Sequence, residues 1–351
     1  MKNFFACLAV IIGTVIGAGF ASGREILNFF NIYEERGLVS ILISSIIFGI
    51  VVVITSLVVR KSKSTEYKNL INSNSFLFVI LQMFSFICFA IMISGVGAFF
   101  NEHLDINFWL GTAIAASICY VMFLNSFKGI EIISCILVPL IIIGIGILGT
   151  YGYAGTEILQ YAKEGIETVN YTGNFIISAI LYASYNSLIL VPILVNFEEY
   201  KLSRSKILYL GIATTLVLGI LMFLIYKVNN IFYPDIMAYE IPNMLIASFI
   251  SKEMRFFYGI VILAAIFTTA FSSGFSFLKM RSEKNYEKNA LVMCIAGFLC
   301  ARIGFSNLIN ICFPIFGYIG IYQIILILMK MKDGECGKWQ RKNLFLFVFL
   351  L

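Results

Sequence analysis

Apolar runs of about twenty residues alternate with short polar connections along nearly the whole chain. They cover residues 4–30, 38–59, 75–100, 108–125, 130–150, 173–197, 206–227, 254–278, 289–305 and 307–329. A helix needs about 20 residues to cross the hydrocarbon layer, so each run is predicted to span a membrane. A further apolar stretch, 344–351, is too short to cross and is expected at the interface. Two longer connections, 151–172 and 228–253, fall on the same side. In the second, Pro242 precedes the apolar run Met244-Leu245-Ile246-Ala247, which predicts a short helix lying over the outer face. That helix is either a lid or an inert interfacial element.

Composition strengthens this reading. Of 351 residues, 60% are hydrophobic and 13% charged, against about 25% charged in an ordinary soluble domain. Ten spans use about 200 residues, which excludes a large extramembrane domain. Basic residues give the orientation: 18 of the 25 Lys and Arg fall in one set of alternate connections and six in the other. Loops rich in Lys and Arg stay on the cytoplasmic side, so both termini are expected to be cytoplasmic. The net charge of +6 is therefore a signal of topology and gives no support to a nucleic-acid partner. Seven of the eight cysteines lie in apolar runs without metal-site or redox spacing, and read as small packing residues. The first run has no A-x-A-type end and is read as a retained helix.

Two spans are interrupted. The first holds Gly13, Gly17, Gly19 and Gly23 within eleven residues, each weakening a helix by about 1 kcal/mol relative to Ala. Close helix packing through small residues explains such a pattern, and so does unwound backbone facing a wet cavity. The sixth span contains Tyr182-Ala183-Ser184-Tyr185-Asn186-Ser187 and then Pro192. A polar cluster at membrane depth needs partners. The two interruptions lie 167 residues apart, each opening a block of five spans. Matched breaks in two halves point to a secondary-transporter site, where freed amides meet an anion and freed carbonyls a cation. The eighth span adds Thr268-Thr269-Ala270-Phe271-Ser272-Ser273-Gly274, hydroxyls that either bond back to their own helix or offer oxygen to a hard cation.

The run Gly17-Ala18-Gly19-Phe20-Ala21-Ser22-Gly23-Arg24-Glu25-Ile26 resembles the opening signature of the YkvI-type bacterial membrane proteins. Length and ten-span hydropathy match as well. That family is similar to the amino acid–polyamine–cation superfamily, whose LeuT fold consists of two inverted five-helix repeats. The resemblance implies an all-α polytopic membrane protein of about ten helices, with helices 1 and 6 discontinuous. It forms one transmembrane domain over 1–351, with repeats at about 1–150 and 173–329 and a basic tail at 330–351. LeuT-type symporters bind Na⁺ between helices 1 and 8. Carried over residue by residue, that site comprises the carbonyls of Gly13, Ile16 and Ala265 and the hydroxyls of Thr268 and Thr269. Five neutral oxygens suit a monovalent ion; Ca²⁺ sites usually add carboxylates.

By the same resemblance, the solute lies against Ala18, Gly19 and Ser22 on one side and Tyr182, Ser184, Tyr185 and Asn186 on the other. Helix 3 departs from the symporter pattern, offering Ser85, Cys88 and Phe89 where a Tyr is expected. Arg24 and Glu25 are candidates for gating or proton coupling, because ionisable groups within spans are functional candidates by default. The implied function is Na⁺-coupled symport of a small organic solute such as an amino acid across the bacterial plasma membrane, with no cofactor besides the ion. The alternatives are a transporter-shaped solute sensor and a proton-coupled carrier using Glu25. An enzyme is not expected, since the single histidine, His103, lies in an outer loop and no hydrolase or P-loop motif is present.

Overall fold

The computed structural model describes residues 2–62, 75–124, 126–154, 173–233, 236, 239, 241–281, 285–301 and 305–333. In chain order the helices are α1 (Lys2–Val15), α2 (Ala18–Ala21), α3 (Arg24–Phe29), α4 (Arg36–Ser62), α5 (Ser75–Leu104), α6 (Phe108–Leu124) and α7 (Ser126–Ala154). They continue as α8 (Phe175–Val195), α9 (Arg204–Phe232), α10 (Pro242–Ile250), α11 (Lys252–Lys279), α12 (Tyr286–Cys300) and α13 (Phe305–Asp333). Each predicted span coincides with a helix, except the first, which is the broken series α1, α2, α3. Among the described residues, six helices are long and apolar enough to cross a bilayer: α4, α5, α7, α8, α9 and α11. The chain is a multi-pass membrane protein. Residues 155–172, 334–351 and the pair Pro234 and Asp235 lie outside the described residues, and with them most of the first outer connection and the basic tail.

Burial separates interior helices from lipid-facing ones. In the most apolar stretch of each helix, 83% of α8 and 78% of α11 is buried, against 39% of α7 and 44% of α9. The helix α4 packs on α8 and α9, α13 lies along α8, and α11 is wedged between α5 and α7. Polar caps set several starts. Asn174 accepts from the amides of Ile176 (2.8 Å) and Ile177 (3.4 Å), and Ser251 accepts from Met254 N at 3.0 Å, satisfying amides that have no partner within their helix. The short helix predicted after Pro242 is present as α10, with the proline in its first turn.

The sixth span corrects an expectation. Helix 6 is not discontinuous: α8 runs unbroken from Phe175 to Val195 with Pro192 inside it. Asn186 and Ser187 are satisfied without unwinding the backbone, whereas the Ser184 hydroxyl is buried without a hydrogen-bond partner. Asn186 Nδ2 donates to Tyr182 O at 3.1 Å, and Ser187 Oγ donates to Ser184 O at 2.7 Å. Near the proline, Asn196 Nδ2 donates to the carbonyls of Pro192 and Ile193, both at 3.2 Å. Side chains that bond back to their own helix keep a polar run helical. No disulfide joins the described cysteines, and Cys7, Cys88, Cys119 and Cys294 are buried as expected of packing residues, whereas Cys135 is exposed.

Candidate functional site

The first span breaks twice. At the inner break the Gly17 amide turns to Val15 O (3.0 Å), which withdraws from the Gly13 carbonyl the amide that a continuing helix would supply. Gly17 itself is extended (φ −92°, ψ −172°). Four residues of helix follow. At the outer break Gly23 takes the left-handed conformation (φ +83°), which costs a residue with a Cβ about 1–2 kcal/mol. Ser22 spans this break, donating to Gly19 O at 3.0 Å and accepting from Arg24 N at 3.3 Å.

The carbonyls freed at the outer break are met by groups that the sequence reading did not single out. Asn243 Nδ2 and Tyr258 Oη donate to Ala21 O at 2.9 and 2.7 Å, Asn243 N donates to Ser22 O at 2.8 Å, and Asn229 Nδ2 donates to Gly23 O at 3.2 Å. The helix α10 is thus tied to the outer half of the first span. Buried Asn and Tyr within apolar helices were the available signal, since such groups need partners.

The inner break faces α11. A Cβ on Gly17 would lie 2.8 Å from Thr269 Oγ1, and one on Gly13 would lie 3.3 Å from Thr268 Cβ. The structure therefore brings Gly13, Gly17, Thr268 and Thr269 together. Ile16 sits at the break and is fully buried, as is Ala265, whose carbonyl accepts from Thr268 Oγ1 at 3.0 Å. A lateral bond joins the two helices, Thr14 Oγ1 to Ser272 Oγ at 2.9 Å. Thr269 Oγ1 is buried without a hydrogen-bond partner. A hydroxyl in that state costs about 1–3 kcal/mol, and it carries lone pairs that a hard cation would take. Carbonyls freed at Gly13 and a buried hydroxyl with unused lone pairs are a donor set that fits Na⁺.

The solute side is arranged differently from the expectation. Glu25 is buried and turned inward. Its Oε2 accepts from Tyr185 Oη at 2.6 Å, and a Cβ on Gly19 would collide with its carboxylate. Tyr182 lies beside the same carboxylate and is fully buried, its hydroxyl near both Glu25 and Tyr185. The Tyr182 ring sits 5.3 Å from Phe29 and 4.9 Å from Phe30, and the Tyr185 ring stacks on Phe313 at 4.5 Å. The Ser184 backbone packs against Gly320. Asn186 is bonded back to its own helix and Ser22 to the outer break. Arg24 turns outward, Nη1 donating to Tyr239 O at 3.1 Å. Of the helix 3 residues, Ser85 is buried with an unpartnered hydroxyl and Cys88 and Phe89 are buried.

No family model matches the chain. It is similar to the membrane protein YkvI of Bacillus subtilis (strain 168), 26% identical over 342 residues that cover 92% of this chain and 94% of the relative. It is also similar to the protein YyaD of the same organism, 24% identical over 337 residues covering 92% and 95%. Among solved structures, a Na⁺-coupled sialic acid symporter in a substrate-bound outward-open state aligns with a TM-score of 0.64 at 13% identity, over 93% of this chain and 78% of that one. Mhp1, a nucleobase-cation-symport-1 family transporter in a closed conformation, aligns at 0.61 and 11% identity over 93% and 75%. The manganese transporter of Eremococcus coleocola aligns at 0.56 and 11% identity over 100% and 84%. The chain has the fold of these LeuT-type transporters.

Proposed function

We propose that the chain is a secondary carrier that couples Na⁺ entry to movement of a small organic solute by alternating access. One observation carries this reading: the unwound backbone at Gly17 lies directly against the unpartnered Thr269 hydroxyl. Gly13, Ile16, Ala265, Thr268 and Thr269 would hold the ion, joining the first span to α11. The solute would bind one turn further out, between the stretch holding Ala18 and Gly19 and the Tyr182 and Tyr185 face of α8. Ion binding favours the state in which both helices are in contact, which is what a coupling ion must do to shift a conformational equilibrium. Each charge entering down a 100 mV potential contributes about 2.3 kcal/mol, enough for roughly 50-fold accumulation. The fold of Na⁺-coupled and cation symporters supports the reading.

The test is a combined Thr268→Val and Thr269→Ala substitution. The parent should gain thermal stability on Na⁺ addition and take up solute in a Na⁺-dependent way in sealed vesicles; the variant should do neither. A variant that responds to Na⁺ like the parent would show the ion site to be misplaced.

A second reading, proton coupling, is favoured by Glu25. The groups bearing on its carboxyl are the Tyr185 and Tyr182 hydroxyls of α8, with no basic side chain among them. A buried carboxylate must carry a proton or acquire a cation. If the proton is the coupling species, Glu25→Gln abolishes the pH dependence of uptake; an unchanged profile rejects this role.

A further inference from the structure

Glu25 and its surroundings define what kind of solute the site can accept. The carboxylate is buried, and it lies against Gly19, where a solute's own carboxylate would otherwise find backbone amides. Two anions at that position would repel at short range in a poorly solvated place. The carboxyl is met by Tyr185 and Tyr182, whose rings pack in turn on Phe29, Phe30 and Phe313. Aromatic faces attract cations through the ring quadrupole, and such cages serve to bind organic ammonium groups. The Tyr182 hydroxyl is buried next to the carboxylate and Tyr185, and its oxygen can accept from an N–H donor. A divalent transition metal fits poorly here. Such ions favour several imidazole, thiolate or carboxylate ligands, and the described residues include no group of three or more His, Cys, Asp and Glu.

We propose that the transported solute is a small organic cation, whose ammonium group is held between the Glu25 carboxylate and the aromatic rings around Tyr182. This rests on the carrier reading and narrows it. It also shifts the expectation for an amino acid: the group recognised at this point is the ammonium and not the carboxylate. Glu25 then belongs to the binding site itself.

The experiment measures binding to the purified full-length chain in the presence of Na⁺, using choline and n-butylamine as cationic probes. The neutral probe is 3,3-dimethylbutan-1-ol, which has the shape of choline without its charge. On the unaltered chain, at least one cation should bind at least about tenfold more tightly than the alcohol. Glu25→Gln, which keeps the size of the side chain, should weaken that cation at least about tenfold and leave the alcohol unchanged. Equal affinity for cation and alcohol, no binding of either cation, or undiminished cation binding in Glu25→Gln overturns the proposal. The comparison of probes on the parent stands even if the variant folds poorly. Na⁺-induced stabilisation of the parent, measured in the same samples, separates the two readings. If it persists while cation selectivity is absent, only the solute class is wrong; if it is absent too, the Na⁺-coupled reading falls as well.

Discussion

At the scale of single residues, the three glycines around the breaks have distinct roles. Gly23 is needed for its backbone angle (φ +83°) and for the close approach of Asn243. Gly23→Ala should cost about 1–2 kcal/mol from the angle alone, read as a lowered melting temperature. Gly17 is needed for space beside Thr269, and Gly19 for space beside Glu25. Thr269 gives a sharper test, because its hydroxyl is buried and unpartnered. Without Na⁺, Thr269→Ala should be neutral or slightly stabilising, since it removes an unsatisfied polar group. With Na⁺, the same variant should be less stable than the parent, because it loses an ion ligand. An unfavourable effect of equal size in both conditions would assign Thr269 to ordinary packing.

At the scale of elements, α10 and the first span act as one unit. Asn243 supplies two of the bonds at the outer break, to Ala21 O and Ser22 O, one of them through its side chain. Asn243→Ala removes the side-chain bond while Tyr258 still serves Ala21 O. The expected loss is about 1 kcal/mol, the net worth of one such bond, measured by chemical or thermal unfolding. The first-span break was legible because glycine density reports directly on backbone freedom. The supposed break in the sixth span was a misreading with a clear cause. Tyr182, Asn186 and Ser187 mark a polar place in the membrane, but sequence does not say whether such groups serve a ligand, a neighbour or their own helix. In α8, Asn186 and Ser187 serve their own helix and Tyr185 serves Glu25. The inward direction of Glu25 was equally hidden. The left-handed turn at Gly23 resets the rotation of α3, so the faces of α1 cannot be extrapolated across it. The aromatic partners Phe29, Phe30 and Phe313 were invisible for a simpler reason: in a chain with 34 Phe, composition singles out none of them.

At the scale of the whole molecule, the ten apolar runs coincide with the described helices other than α10, because hydrophobic length dominates in a bilayer. The interior position of α8 and α11 left a trace in hydropathy, since they are the least apolar of the six long helices; which neighbours cover them follows only from contacts. The distribution of Lys and Arg makes a separate prediction. A reporter that fluoresces only in the cytoplasm should be bright when fused to either terminus, and a dark fusion at one end would refute the orientation. The four-residue stub between Gly17 and Gly23 has a mechanical consequence at this scale. If the carrier cycles as proposed, swivels at both ends would let it turn like a crank while the rods above and below keep their seats. The bilayer would then have little work done on it, and the torque needed to turn the stub past Glu25 would be set by a handful of local bonds.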